Sequence, residues 1–320
     1  MPPVDRLHPI RAASSESSYS LMEFMREFPD DAACLNWLWR TRHSEDGTHA
    51  DCPRCGVERA FKRYETSVRR QSWTCTTCGH HLHPTAGTIF HKSSTSLHLW
   101  FFAMYLMTST RCGISAKQLE RELGVTYKTA WRMFNKIRNE LMVEDDEPLS
   151  GEVEADETFV GGKLRNSHRR EREALGWDRK MYDANRKTIV FAAVERQGRV
   201  RARIISDSGG IALRDSVSTF VMPSSILFTD EWRGYDAVGR KYVHRRIRHR
   251  DRIYVEGTTH TQTVEGFFSM FKNGVRGVYH SVSRKWLQGY LNEYAWRYNR
   301  RDNGRAMFLD LLNEAATRTR

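Results

Sequence analysis

Two Cys-x-x-Cys pairs constrain this chain more tightly than any other feature. Cys52-Pro-Arg-Cys55 and Cys75-Thr-Thr-Cys78 are separated by nineteen residues. Each pair can put two thiolates on one cation, and together they supply the four tetrahedral ligands of a structural Zn²⁺ site. A zinc ribbon holding one Zn²⁺ is therefore predicted for residues 48–92. In small domains of this kind the metal contributes about 10–16 kcal/mol of apparent binding energy to folding. A redox Cys-x-x-Cys is the other use of such a motif, and two pairs at ribbon spacing disfavour it. His80, His81, His83 and His91 lie close by and read as ordinary or phosphate-contacting residues. Cys34 and Cys112 have no partner spacing and read as small buried hydrophobes.

Charge narrows the partner. The 320 residues carry a net +12 with a pI near 9.6, and the signs are segregated. Residues 144–157 hold eight acids and no base, whereas 240–252 hold seven bases and one acid, and 163–187 is also basic. A polyanionic partner, double-stranded DNA, is the expectation. The chain opens on a polar stretch with no charged-then-apolar signal segment. Its longest apolar run, residues 97–107, falls well short of the roughly 20 needed to span a bilayer. A cytoplasmic, nucleoid-associated protein with no membrane partner is expected, with its cysteines reduced or metal-bound.

Residues 1–47 read as an N-terminal tail, disordered to about residue 20, followed by two short helices interrupted at FPDD. After the ribbon, residues 93–143 read as helical. Within them ISAKQLERELGVTYKTAWRMFNKIRNEL (114–141) fits a helix-turn-helix. Ile114, Leu119 and Leu123 mark one helix, Gly124 the turn, and Thr126 the cap of a second helix with Ala130, Phe134 and Ile137 inward. Tyr127, Lys128, Trp131 and Arg132 then stand near the exposed start of the second helix, where such modules touch DNA. A helix pair that serves only packing has the same pattern.

Residues 144–151 read as an acidic linker. Beyond it GEVEADETFVGG reads as a strand, 163–186 as a basic excursion loop, and KTIVFAAVE-RQG-RVRARIIS as a hairpin. A helix at 211–221, the strand SILFTD, a basic strand VHRRIRH and helices near 260–273 and 283–299 complete residues 152–305. This is a mixed α/β order with five strands and flanking helices, and 306–320 is left as a C-terminal tail.

Three acids fall where such a fold forms a cleft. Asp156 lies mid-strand, Asp230 ends a buried strand, and Glu265 follows on a helix. An inward strand acid is costly without ionic partners, and oxygen ligands of this kind suit Mg²⁺ or Mn²⁺. One acid on the first strand, one after the fourth and one on a later helix is the ribonuclease-H-like arrangement, in which two metal ions flank the reacting phosphate. Rivals exist. Glu154 shares the face of Asp156 by strand alternation and Glu157 lies opposite; Glu231 and Asp236 compete with Asp230. Thr259 and Gln262 fit a capping box at the start of the last acid's helix.

The blocks HPTAGTIFHKSSTSLHLWFFAMYLM, EADETFVGGK, TDEWRGYD, HTQTVEGFFSMFKNGVRGVYH and LNEYAWRYNRR, with the two Cys-x-x-Cys pairs, resemble the prokaryotic insertion-sequence DDE transposases of the zinc-ribbon group, relatives of eukaryotic Merlin transposons. The resemblance spans about 48–305. It implies a ribonuclease-H-like catalytic domain that cleaves DNA at transposon terminal inverted repeats and joins the 3′ ends to target DNA. On it, Asp156, Asp230 and Glu265 match the acidic catalytic positions holding two Mg²⁺ (or Mn²⁺), and Lys272 the trailing lysine. Many relatives carry Asn where this chain has Gln262, so Gln262 is the alternative third residue. Arg276, Arg297, Arg300 and Arg301 are further candidates for DNA-backbone contacts, and a homodimer on paired ends is expected. Two other readings remain open: a DNA-binding regulator with an inert α/β domain, and a Mg²⁺-dependent nuclease that only cuts.

Overall fold

The computed structural model describes residues 19–64, 72–110, 112–161, 187–238, 241–248, 250, 255, 259–301 and 307–318. The predicted loop 163–186 and the tail before residue 19 lie outside them. The chain divides into two compact units, Met1–Leu141 with Asn303–Arg320, and Met142–Asp302.

In the first unit, α1 (Leu21–Glu27) and α2 (Asp31–Arg42) start at good caps. Ser20 and Glu23 form a reciprocal capping box, and Asp30 accepts from Ala33 N. Four antiparallel strands follow in sequential order: β1 (His49–Cys52), β2 (Val57–Tyr64), β3 (Ser72–Cys75) and β4 (His81–Leu82). So small a sheet needs support from outside, and α2 supplies it with Leu35 and Trp39 packed on Phe61 and Trp73.

Helix α3 (Leu97–Ser109) is capped by Ser96 and buries Trp100, Phe101, Met104 and Met107. Next come α4 (Ala116–Leu123), a turn with Gly124 at φ +62°, and α5 (Tyr127–Lys136), continued by a π-helical turn Ile137–Leu141. Ile114, Leu119, Leu123, Ala130, Phe134 and Ile137 are all buried, and Thr126 caps α5 as predicted. Residues 306–320, expected to be a tail, contain instead a helix at Met307–Thr317 that packs on α2 and α3 through Phe308, Leu311 and Leu312. Its apolar residues have helical spacing, and burial against α3 gives them a partner within the same unit. Cys34 is buried as expected, but Cys112 is exposed.

The second unit is built on a five-stranded sheet of order β7-β6-β5-β8-β9. Strands β5 (Glu152–Val160), β6 (Thr188–Glu195) and β7 (Val200–Ile205) form an antiparallel meander, while β8 (Ile226–Thr229) and β9 (Val243–Arg246) add in parallel beside β5. The mixed five-stranded sheet read from the sequence is thus borne out. Strand β6 lies between two others and is apolar almost throughout, as a strand covered on both faces must be.

Helix α6 (Gly210–Phe220) covers one face, its Leu213, Val217 and Phe220 packed with Val153, Ala155 and Phe191. On the side of the alternate residues of β5 lie α7 (Gln262–Gly274), continued by a π turn Val275–Tyr279, and α8 (Arg284–Asn299). We number the helix Met307–Thr317 as α9. The outer edge of β7 is closed by α8: Asn299 Oδ1 and Gln288 Oε1 accept from Val200 N and Ile204 N. Side-chain acceptors thereby satisfy strand donors that an open edge would leave unpaired.

Candidate active site and metal centre

The metal centre of the first unit is the simpler of the two. Cys52 Sγ and Cys78 Sγ are 3.5 Å apart, and one ligand atom from each of Cys52, Cys55, Cys75 and Cys78 lies within 4.8 Å of every other. The knuckles are shaped by the backbone: Gly56 N donates to Cys52 O and Gly79 N to Cys75 O. Gly56 and Gly79 have φ of +71° and +73°, the left-handed region that L-residues avoid. The thiols are strongly perturbed. Hydrogen bonding to Cys78, with burial, pushes Cys55 up to about 12. Burial opposes ionisation of Cys75, but the N–H groups of Cys78 and Thr77, together with the thiols of Cys78 and Cys52, outweigh it and bring its pKa to about 6. Four sulfurs at this spacing, one already favoured as thiolate, fit a tetrahedral Zn²⁺.

In the second unit the sheet register brings two acids together. Strand β5 pairs in parallel with β8 through Glu154↔Phe228. Two residues beyond that pair stand Asp156, within β5, and Asp230, immediately after the end of β8. Asp156 is held well above the ordinary carboxylate range, first by burial, then by repulsion from Glu157, Asp230 and Glu265. Its one stabilising contact of note is the Glu157 N–H, 2.7 Å from Oδ1. Asp230 accepts the Trp232 N–H at 3.0 Å, which curls the following turn around its carboxylate.

Glu265 lies on the first turn of α7, where Thr261 Oγ1 donates to its Oε1 at 3.0 Å. Asp156, Thr158, Glu265, Ser269, Lys272 and Arg276 line an open cavity of about 350 Å³. Asp230 and Glu265 each repel Asp156 without the three being gathered into a closed set: among the described residues the cysteine group alone has three or more such ligand atoms within 4.8 Å. Half-buried Asp156, with Asp230 and Glu265 near enough to repel it, belongs to a set of hard donors that a divalent cation relieves.

Two cations share the cavity. Lys272 follows Glu265 by seven residues and is pulled below its usual pKa by burial and by Arg276, with Asp156 acting in the opposite sense. The rival acids are otherwise engaged. Glu154 is fully buried and accepts from Thr263 N, Val264 N and Arg196 Nε. Asp236 pairs with Arg246 at 2.6 Å, and Glu231 accepts from Arg250 N.

Gln262 is exposed at the first position of α7 and is absent from the cavity lining. The predicted Thr259–Gln262 capping box does not form. The N-cap is Thr261, and the first donors of α7 go to Glu154, a partner more than a hundred residues away in sequence. That clamp was invisible to a local motif.

Three of the predicted DNA contacts are engaged within the protein. Arg297 is buried against Glu293, with Nε and Nη2 at 3.1 and 3.0 Å from Oε1. Arg300 pairs with Glu144 at 2.7 Å and lies over Trp296, and Arg301 bonds Gly198 O and Tyr298 O over the Tyr298 ring. Each of these guanidinium groups thus has a partner within its own unit. Tyr127, Lys128 and Arg132 are exposed and Trp131 half-buried, with the Tyr127 and Trp131 rings stacked at 6.2 Å. Among the described residues no helix is long and apolar enough to cross a membrane.

Residues 148–299, nearly the whole second unit, match the ISXO2-like transposase domain family. The chain is also 29% identical over 258 residues to a protein described as uncharacterized in transposable element ISH50 of Halobacterium salinarum, covering 77% of this chain and 84% of that relative.

Proposed function

Carrying an ISXO2-like transposase domain, the chain stands with the insertion-sequence transposases, and from that premise we propose that it cleaves DNA at its element's terminal inverted repeats and joins the freed 3′ ends to target DNA. One observation carries the reading: Asp156, on a strand, is repelled both by Asp230 just past the end of the parallel neighbour and by Glu265 on a later helix, and Asp156 and Glu265 line an open cavity that also holds Lys272 and Arg276. The strand order, with an antiparallel meander and two parallel additions, supports a ribonuclease-H-like fold.

Asp156, Asp230 and Glu265 would hold two Mg²⁺ (or Mn²⁺). Bound there, the ions supply Lewis-acid chemistry, activating the attacking oxygen and stabilising the leaving one. Lys272 and Arg276 grip the scissile phosphate and its neighbour, holding them against the carboxylates. Hydrolysis liberates a 3′-hydroxyl, which then attacks a target phosphodiester in the same cavity, forming the new P–O bond as the target strand's own 3′-oxygen leaves as a hydroxyl.

Residues 93–143 serve as a helix-turn-helix, with Tyr127, Lys128, Trp131 and Arg132 on DNA, next to a ribbon closed by one Zn²⁺ on Cys52, Cys55, Cys75 and Cys78. Two ends must be handled together, so the active form is a homodimer on paired ends, working on chromosomal DNA in the cytoplasm. The domain division follows: ribbon at 48–92, linker at 144–151, catalytic domain at 152–305.

A labelled transposon-end duplex incubated with Mg²⁺ tests the proposal. Cutting and joining are expected, and each should be lost in Asp156→Ala, Asp230→Ala and Glu265→Ala while duplex binding persists. Gln262→Ala should still cut. Binding without cutting by the unaltered protein would make it a regulator, and cutting without joining a nuclease.

A further inference from the structure

The segment Glu154-Ala155-Asp156-Glu157 holds three acids, of which the proposed chemistry uses one. The other two are neither exposed nor idle. Glu154 is fully buried on the α7 side of the sheet. Its Oε2 accepts the backbone N–H groups of Thr263 and Val264 at 2.7 and 3.2 Å, and its Oε1 accepts from Thr263 Oγ1 at 3.0 Å. These are the unsatisfied donors of the first turn of α7, and a carboxylate there also meets the positive end of the helix dipole.

Arg196 neutralises Glu154. Its Nε is 2.8 Å from Oε1, its Nη2 donates to His260 O, and its guanidinium lies 3.9 Å above the Phe228 ring. His260 Nδ1 is 3.0 Å from the same carboxylate oxygen. Glu265 follows Thr263 by two residues, so the clamp sits directly under the residue that faces Asp156.

On the opposite face Glu157 makes the matching tie. Tyr235 Oη donates to Glu157 Oε2 at 2.7 Å, and Tyr235 is wholly buried. Tyr235 ends the short 3₁₀ turn Arg233–Tyr235, which begins where Trp232 N bonds Asp230. Gly234 lets this turn seat closely: a Cβ there would fall 2.6 Å from both Leu213 Cδ1 and Trp232 Nε1.

We propose that Glu154 and Glu157 are paired positioning residues, each fixing to the Asp156 strand one of the two segments that carry the remaining acids: Glu154 the start of α7 with Glu265, and Glu157 the Tyr235 turn with Asp230. The inference rests on the reading of Asp156, Asp230 and Glu265 as metal-holding acids. The structural ties themselves stand independently of it. Outer residues that orient metal-holding side chains typically matter 10–100-fold for affinity or activity.

The test uses full-length Glu154→Gln and Tyr235→Phe, the second deleting one hydroxyl and keeping the ring. Backbone hydrogen exchange without added divalent ions reads the ties directly. Faster exchange is expected in residues 261–268 for Glu154→Gln and in 230–238 for Tyr235→Phe, with the rest of the sheet unchanged. Mn²⁺ titration of each variant should show about 10–100-fold weaker binding, and end cleavage should fall by a similar factor at unaltered duplex affinity.

Unchanged exchange in those segments, or wild-type Mn²⁺ affinity in both variants, overturns the proposal. If Glu154→Gln does not fold, Tyr235→Phe and Glu157→Gln decide it by the same readings. If the unaltered protein cuts no DNA, the transposase reading fails while exchange and Mn²⁺ binding still judge the positioning role.

Discussion

Trp39 of α2 lies on Trp73 of β3 with ring centroids 4.7 Å apart and planes 6° from parallel. The four-stranded sheet therefore has two sources of stability, a sulfur cage at one end and an aromatic stack against a helix outside it. Loss of the cage should be the graver. Chelation with a strong zinc chelator is expected to release one equivalent of zinc and unfold β1–β4, while the second unit keeps its melting transition. Trp39→Ala should cost about 3–5 kcal/mol yet still bind zinc. Zinc release assayed by a colorimetric indicator, with Trp fluorescence, checks both; retention of folded β1–β4 in a zinc-free protein would refute the metal's role.

Asp156 sits half-buried among like charges. Its folded pKa is raised above the unfolded value, so the folded state binds more protons. Stability without divalent ions is accordingly lost as pH rises from the ordinary Asp range through the raised value. Asp156→Asn removes the penalty. Its melting temperature, measured in chelator at neutral pH, should exceed that of the unaltered protein, although it cuts nothing. A lower melting temperature would show that the carboxylate is satisfied some other way.

His244 gives the opposite dependence. Burial, reinforced by Arg246, lowers its pKa to about 4, and its Nε2 lies 2.8 Å from Thr229 Oγ1. The folded state then binds fewer protons than the unfolded one, so this stability is complete above about pH 6.5 and is lost as pH falls towards 4. The ring is partly exposed, so the effect is expected to be no more than about 2 kcal/mol. Urea midpoints of the unaltered protein and His244→Gln, measured between pH 7 and 4.5, should converge at low pH. Parallel curves would remove His244 from the account.

Lys272 and Arg276 face the cavity, whereas Arg297 does not. Lys272→Ala and Arg276→Ala are each expected to reduce the slope of log affinity against log salt by about 1. Arg297→Met should leave that slope alone and destabilise the protein by about 3–5 kcal/mol, because Glu293 would remain buried without its partner. Filter-binding isotherms across a salt series, paired with thermal melts, separate the two behaviours. A changed slope for Arg297→Met would restore that residue to the DNA surface.

Much of this protein is local and was legible in its sequence. Cysteine spacing specifies the cage because two residues between thiols span one knuckle. The apolar alternation of GEVEADET and the apolar run of TIVFAAVE specify strands, and Thr126 marks a helix start because its hydroxyl reaches a donor three residues on. The residues at the cavity, Asp156, Glu265, Lys272 and Arg276, are all legible from spacing and resemblance, and the parallel pairing of β5 with β8 carries Asp230 near enough to repel Asp156.

What only the tertiary structure decided is the division of labour among like residues. Glu154 and Asp156 share a strand face, and nothing in their spacing says that one clamps a helix and the other faces a cavity. Arg276 and Arg297 belong to equally basic stretches, yet one is exposed and the other is buried on Glu293. The helix Met307–Thr317 reads as a tail in sequence because its apolar face has meaning only against α3. In each case the deciding energy is the satisfaction of a buried charge or the burial of an apolar face by a partner distant in sequence. That partner is known only once the chain has folded.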